Sequence, residues 1–156
     1  MAPNAEQLVD IEAIRQLKAR YFRLMDQKRW DEMKQVFTAD AEIRTPDDTG
    51  DDTPVRGNDA FVDMLTSMIG EVTTVHHGHM SEISVDGDSA SGVWSMEDHL
   101  WWPPQYGLGH MWGCGWYEET YRRGDDGEWR IASMHLRRIR VESDSKQLFP
   151  GEKVQP

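Results

Sequence analysis

The hydrophobic period of this chain changes at Val72, and that change limits the folds open to it. Upstream, Ile11, Ile14, Leu17, Tyr21 and Leu24 recur every three or four residues, the spacing of one helix face, and predict a first helix over 5–25. Trp30, Met33, Val36 and Phe37 predict a short second helix, with Asp31 near its first turn, where negative charge suits the helix dipole. A short strand over 41–44 comes next. A third helix begins at Asn58, turns Phe61, Val62, Leu65, Met68 and Ile69 inward, and ends at Gly70. Downstream the period is two. Segments 73–85 and 89–102 flank VDGD, a hairpin signal through Asp86-Gly87, and segments 109–122 and 128–142 flank RGDDGE. Helices followed by a run of strands imply an α+β fold with the helices on one face of a curved, mainly antiparallel sheet. Such a sheet leaves a cone with a mouth, where a pocket belongs.

A chain of 156 residues fits one domain, here 1–156, and no internal repeat or linker divides it. Residues 45–54, TPDDTGDDTP, read as an acidic loop, and residues 143–156 as a C-terminal tail. The four aspartates of the loop do not make an EF-hand, because the glycine placement and the terminal glutamate are wrong for one. A formal net charge of −11 argues against nucleic acid and anionic membranes, which need a basic surface. It suits a neutral or apolar small molecule. The lone Cys114 leaves no intrachain disulfide to form. The N-terminus lacks a basic-then-apolar signal, and no apolar run approaches the ~18 residues of a membrane span. A cytoplasmic protein is the expectation.

Three positions put charge on apolar faces. At roughly 100° per residue, Asp26 lies about 40° from Phe22 at the edge of the first helix's apolar stripe, so it is either a solvated helix end or a charge looking into a cavity. In the second long strand, Trp94, Met96, Asp98, Leu100 and Trp102 alternate onto one face, and Asp98 is its one acid. A buried carboxylate must be paired, protonated or facing a wet cavity. In the last strand, Met134, Leu136 and Arg138 share a face, while Arg137 points with His135; an inward arginine neutralises an acid or holds a substrate oxygen. The segment TTVHHGHM offers His76, His77 and His79. Adjacent strand residues face opposite ways and no second Cys/His cluster exists, so a single inward histidine acting as a general base is more economical than a metal site. Periodicity does not select among the three. Seven tryptophans exceed what packing this domain requires, and Trp30, Trp94, His110 and Trp112 are candidates for a substrate-binding wall.

Taken together, the segments IEAIRQLKARYFRLMDQKRWDEMKQVFTADAEI, VRGNDAFVDML, TTVHHGH and DDGEWRIASMHLRRIRV resemble the SnoaL-like branch of the nuclear transport factor 2-like superfamily. The resemblance implies a cone-shaped α+β barrel, its strongly curved mixed sheet wrapped around N-terminal helices. Within that branch the chain is similar to the group containing scytalone dehydratase, bile-acid 7α-dehydratase and lindane dehydrochlorinase, which eliminate water or HCl without a cofactor. By that resemblance, Tyr21 and Asp26 match the Tyr-x4-Asp pair of the first helix, and His76 the histidine paired with that aspartate. Asp98 matches the second-strand acid and Arg138 the final-strand arginine.

The expectation is therefore a cofactor-independent lyase or dehydratase acting on a hydrophobic, cyclic or aromatic small molecule, with Tyr21, Asp26, His76, Asp98 and Arg138 as its catalytic set and no metal. C–C cleavage of retro-aldol type or isomerisation would use the same groups, and aldol ring closure of polyketide-cyclase type would need only one acid/base carboxylate. A non-catalytic binding module, or a partner resembling the small subunit of ring-hydroxylating dioxygenases, is the alternative outside enzymes. Exposed-looking Trp and Met residues on the open sheet face predict a homo-oligomer, a trimer or a dimer.

Overall fold

A computed structural model describes residues 2–145. The first helix, α1 (Ala5–Asp26), starts from a reciprocal cap in which Asn4 accepts from the Gln7 amide at 2.9 Å and Gln7 accepts from the Asn4 amide at 3.0 Å. At its other end the Lys28 amide donates to Met25 and the Arg29 amide to Leu24, the paired bonds of a Schellman stop. The left-handed position of that stop, normally glycine, is held by Lys28 with φ 58°.

The short helix α2 (Trp30–Lys34) ends before Val36, and β1 (Phe37–Arg44) begins at Phe37 rather than at residue 41. The reason is tertiary: the Ile131 amide donates to the Val36 carbonyl, so pairing with the last strand captures residues that helical spacing alone assigns to a helix. The acidic loop contains a one-turn helix, α3 (Pro46–Thr49), opened by Pro46 and closed by Gly50 at φ 73°. A two-residue strand, β2 (Val55–Arg56), and the helix α4 (Asn58–Ile69) follow. Four long strands then form as the alternation requires: β3 (Thr73–Asp86), β4 (Ser89–Trp101), β5 (His110–Arg123) and β6 (Trp129–Ser143).

The six strands form one sheet in the order β2-β1-β6-β5-β4-β3, with β1 parallel to β6 and every other pair antiparallel. Register slips at Gly78/Ser81, Cys114/Gly115 and Thr120/Tyr121 mark bulges that strengthen the local bend. The sheet curls without closing, so the cone has two free edges, β2 and β3, instead of a continuous barrel wall. Helix α1 packs on β3 and β6, and α4 on β1 and β2. Between helices and sheet lies one core that includes Leu17, Leu24, Phe37, Phe61, Met96, Ile131 and Met134.

A charge pair sits inside this core. Lys18 Nζ lies 2.5 Å from Glu119 Oε1 with both side chains fully buried. The Tyr121 hydroxyl donates to Glu119 at 2.5 Å, and Trp94 Nε1 donates to Tyr121 at 2.8 Å. The ammonium also rests 3.6 Å from the Tyr117 ring centre and 4.0 Å from that of Tyr21. Burial pulls the Lys18 pKa down against the opposing pull of Glu119, and burial wins.

No helix among the described residues is long and apolar enough to cross a membrane. The expected tail, 143–156, falls almost wholly outside the described residues, since β6 continues to Ser143.

Candidate active site

Asp26 is the last residue of α1, and the end of that helix delivers it to the start of β3. Its Oδ1 lies 2.7 Å from His76 Nδ1 and accepts from Thr74 Oγ1 at 2.9 Å, while Oδ2 accepts from the His76 amide at 3.0 Å. Burial pushes the Asp26 carboxyl up, but the hydrogen bonds and charge of His76, with Thr74, outweigh it and hold the group below its ordinary value. An ionised Asp26 accepts from Nδ1, so Nε2 of His76 is left as the basic nitrogen. Lys28 donates to Thr74 Oγ1 at 2.9 Å, which extends the chain to Lys28–Thr74–Asp26–His76. Burial draws the Lys28 ammonium down to about 8, with Asp26 opposing.

His76 and Asp98 meet because they are direct partners in the β3–β4 register, and Asp98 is in turn opposite Gly113 of β5. The Asp98 carboxylate stands 3.9 Å from His76 Nε2. Arg138 reaches it from β6: Nη1 donates to Asp98 Oδ1 at 2.8 Å. A side chain at Gly113 would put its Cβ 2.6 Å from Arg138 Nη1 and 3.0 Å from Asp98 Oδ1, so glycine there leaves room for the ion pair. The remaining face of the guanidinium is taken by Asp48 of α3, with Nε–Oδ1 at 3.0 Å and Nη2–Oδ2 at 3.2 Å. Asp47 accepts from the Arg138 backbone amide at 2.8 Å. Burial works against the charge of Arg138, yet Asp48 and Asp98 prevail and raise its pKa further. Burial likewise pushes the Asp48 carboxyl up, with Arg138 pulling the other way.

Tyr21 and Tyr117 are buried side by side with rings in edge contact at 6.0 Å. Burial raises both phenols above their ordinary value. Tyr21, Tyr117, His76, Asp98, Asp48 and Arg138 line one end of a cavity whose other end is apolar, with Met25, Met64, Leu65, Met68, Ile69 and Leu100. The free space inside is about 60 Å³, room for about two waters at liquid density. A ring-sized ligand therefore enters only if the wall moves, and Met25, Met64 and Met68 are the unbranched, flexible side chains able to do so. A larger depression of about 830 Å³ lies across the opposite face of the sheet, lined by groups such as Glu42, Arg44, Glu82 and His135. It is shallow, and none of the groups just described opens into it.

The cavity thus receives Tyr21, His76, Asp98 and Arg138, with Asp26 directly behind His76. His77 and His79 stand half-exposed beside Glu97, at 3.5 and 3.6 Å, and Arg137 pairs with Glu118 on the outer face at 2.8 Å. The four aromatic candidates do not gather there. Trp94 is in the core bonded to Tyr121, and Trp30 packs at the core margin near Lys28. His110 and Trp112 project from the outer face of β5, where His110 stacks on His99 and Trp101. Alternation assigns a residue to a face but not to a depth along it, and these four lie on the wrong face or beyond the cavity. Asp48, Tyr117, Thr74 and Lys28 were not expected. Tyr117 had a signal, its place in the inward alternation of β5. Among the described residues, no group of three or more His, Cys, Asp or Glu is arranged to hold a metal ion.

Comparison with solved structures agrees with this architecture. The chain is similar to the Kfla4162 protein of Kribbella flavida (24% identity, 89% of this chain and 95% of that one, TM-score 0.81). It is also similar to a protein of Novosphingobium aromaticivorans given the provisional name scytalone dehydratase (22%, 89% and 90%, 0.75). A third is the hexachlorocyclohexane dehydrochlorinase LinA-type3 of Novosphingobium barchaimii (16%, 96% and 97%, 0.74). At these identities the likeness is one of fold. The sequence itself matches the SnoaL-like domain family over residues 6–135, and the chain belongs to that family.

Proposed function

We propose that this protein is a cofactor-independent lyase of dehydratase type, acting on a hydrophobic cyclic or aromatic molecule that carries a hydroxyl near an activating carbonyl or phenol. The observation that carries the reading is the His76 Nδ1–Asp26 contact of 2.7 Å with Nε2 turned toward Asp98, in a cavity that joins these polar groups to an apolar wall of Met, Leu and Ile side chains. His76 Nε2 takes the proton from carbon; the C–O bond breaks as the double bond forms; the His76 imidazolium returns its proton to the departing hydroxyl, which leaves as water and restores the neutral base. Asp26 keeps the imidazole in the reactive tautomer and stabilises its charged form, in the way of the third member of a hydrolase triad. Tyr21 donates to the oxyanion developing on the activating group. Asp98, anchored by Arg138, lies beside Nε2 and balances the charge that arises there. The similarity in fold to proteins named as a dehydratase and a dehydrochlorinase supports the same reading.

The test is a screen of hydroxylated cyclic ketones and phenols, scored by mass for loss of one water. With a substrate in hand, His76→Ala is expected to lower kcat by about 10²–10⁴-fold. Asp26→Asn is expected to lower kcat more than it raises KM. Near-full turnover by His76→Ala would remove this mechanism. A product of unchanged mass would move the assignment to ring closure or isomerisation.

A further inference from the structure

Among the described residues the cavity wall contains one permanent cation, Arg138, and each of its three guanidinium nitrogens already donates to a carboxylate. Arg138 spends Nε and Nη2 on Asp48 and Nη1 on Asp98, and the three side chains are 6, 13 and 3% exposed. From this we infer that Asp48 is a specificity-determining residue, which by closing the guanidinium makes the cavity select uncharged ligands and reject anionic ones of the same shape. The inference rests on the cavity being the ligand site, not on the elimination chemistry.

Three features support it. First, an Arg–carboxylate fork is the arrangement by which an arginine would otherwise clamp a ligand carboxylate or phosphate, and here Asp48 occupies it from within the chain. A ligand anion would have to displace a buried partner or lie against two carboxylates, either of which is unfavourable in a low-dielectric site. Second, Asp48 is held in place. The single turn of α3 is fixed by Pro46 and Gly50, and Asp47 of the same turn grips the Arg138 amide, so the segment is fastened to β6 at two points. Third, the charged groups nearest His76, Asp98 in the cavity and Asp26 behind it, are acidic, and the two lysines of the neighbourhood are committed elsewhere, Lys28 to Thr74 and Lys18 to Glu119. Burial already works against charge on Asp48, and a second anion beside it would add to that cost. An uncharged hydroxyl or carbonyl meets none of these penalties and finds Tyr21 and His76 as partners. Discrimination of this kind comes from making the wrong ligand worse as much as from improving the right one.

The experiment measures binding of 2-naphthol and 2-naphthoate to the full chain at neutral pH by calorimetry. The parent protein is expected to bind the naphthol at least about tenfold more tightly. Asp48→Asn, which keeps an oxygen on the guanidinium but removes the charge, is expected to bring the ratio to within about threefold by gaining affinity for the naphthoate. Asp47→Asn loosens the same turn without altering the charge on the guanidinium, and the ratio should stay at the parent value. Equal binding of both probes by the parent, an unchanged ratio in Asp48→Asn, an equal change in Asp47→Asn, or no binding of either probe would each overturn the inference. Failure of His76→Ala to affect turnover would defeat the lyase assignment while leaving this ratio as measured.

Discussion

Asp26 offers its carboxylate to three donors, and two of them, a backbone amide and an imidazole, belong to the same residue, which fixes both the position of His76 and the direction of its ring. Its carboxyl is held below the ordinary value in the folded chain. The unfolded chain therefore binds the proton more readily in the interval between the two values, and stability contributed by Asp26 is complete above the ordinary carboxylate range and lost as pH falls through the folded value. The stability difference between the parent and Asp26→Asn is thus expected to be widest near neutrality and to narrow below about pH 4. Urea unfolding of both forms across that range checks it; a gap that stays constant down to about pH 3 would mean that Asp26 carries no such linkage.

Among the elements, the stop of α1 is the least economical. Glycine suits its left-handed position, whereas Lys28 is there with its side chain folded onto Thr74. Replacement by alanine removes the contact and keeps the strain; replacement by glycine removes both. Lys28→Gly is accordingly expected to be more stable than Lys28→Ala by about 1 kcal/mol, read from urea midpoints at constant slope. Equal stability would show that the strain is negligible. The boundaries of the long strands were readable to within a residue or two, because period-two alternation and the DG turns are local signals. So were the inward faces of His76's neighbour Asp98 and of Arg138. Asp48 was not: it lies in a run of aspartates indistinguishable from a solvated loop, and its partner is 90 residues away. The same holds for β1, whose first residues are strand only because β6 is beside them.

At the scale of the whole molecule, the core tolerates a complete ion pair but not half of one. Lys18→Met leaves Glu119 buried with only the Tyr121 hydroxyl bonded to it among the described residues and is expected to cost about 3–5 kcal/mol, whereas Lys18→Met with Glu119→Gln should recover much of that loss. Denaturant unfolding of the two singles and the double closes the cycle, and a double variant no more stable than Lys18→Met would show that charge balance is not what the pair supplies. The parallel seam between β1 and β6 has a consequence of another kind. As a ribosome delivers the chain, β1 leaves early and must wait for residues 129–143 before it gains its neighbour, since Phe37 aligns with Ile131 and Arg44 with His135. Those last residues also bring Arg138. Until they emerge, the nascent protein has neither a completed sheet nor the cation that Asp48 and Asp98 surround, so shelter of its apolar helices and assembly of its polar pocket arrive together, and only once the sixth strand has been made.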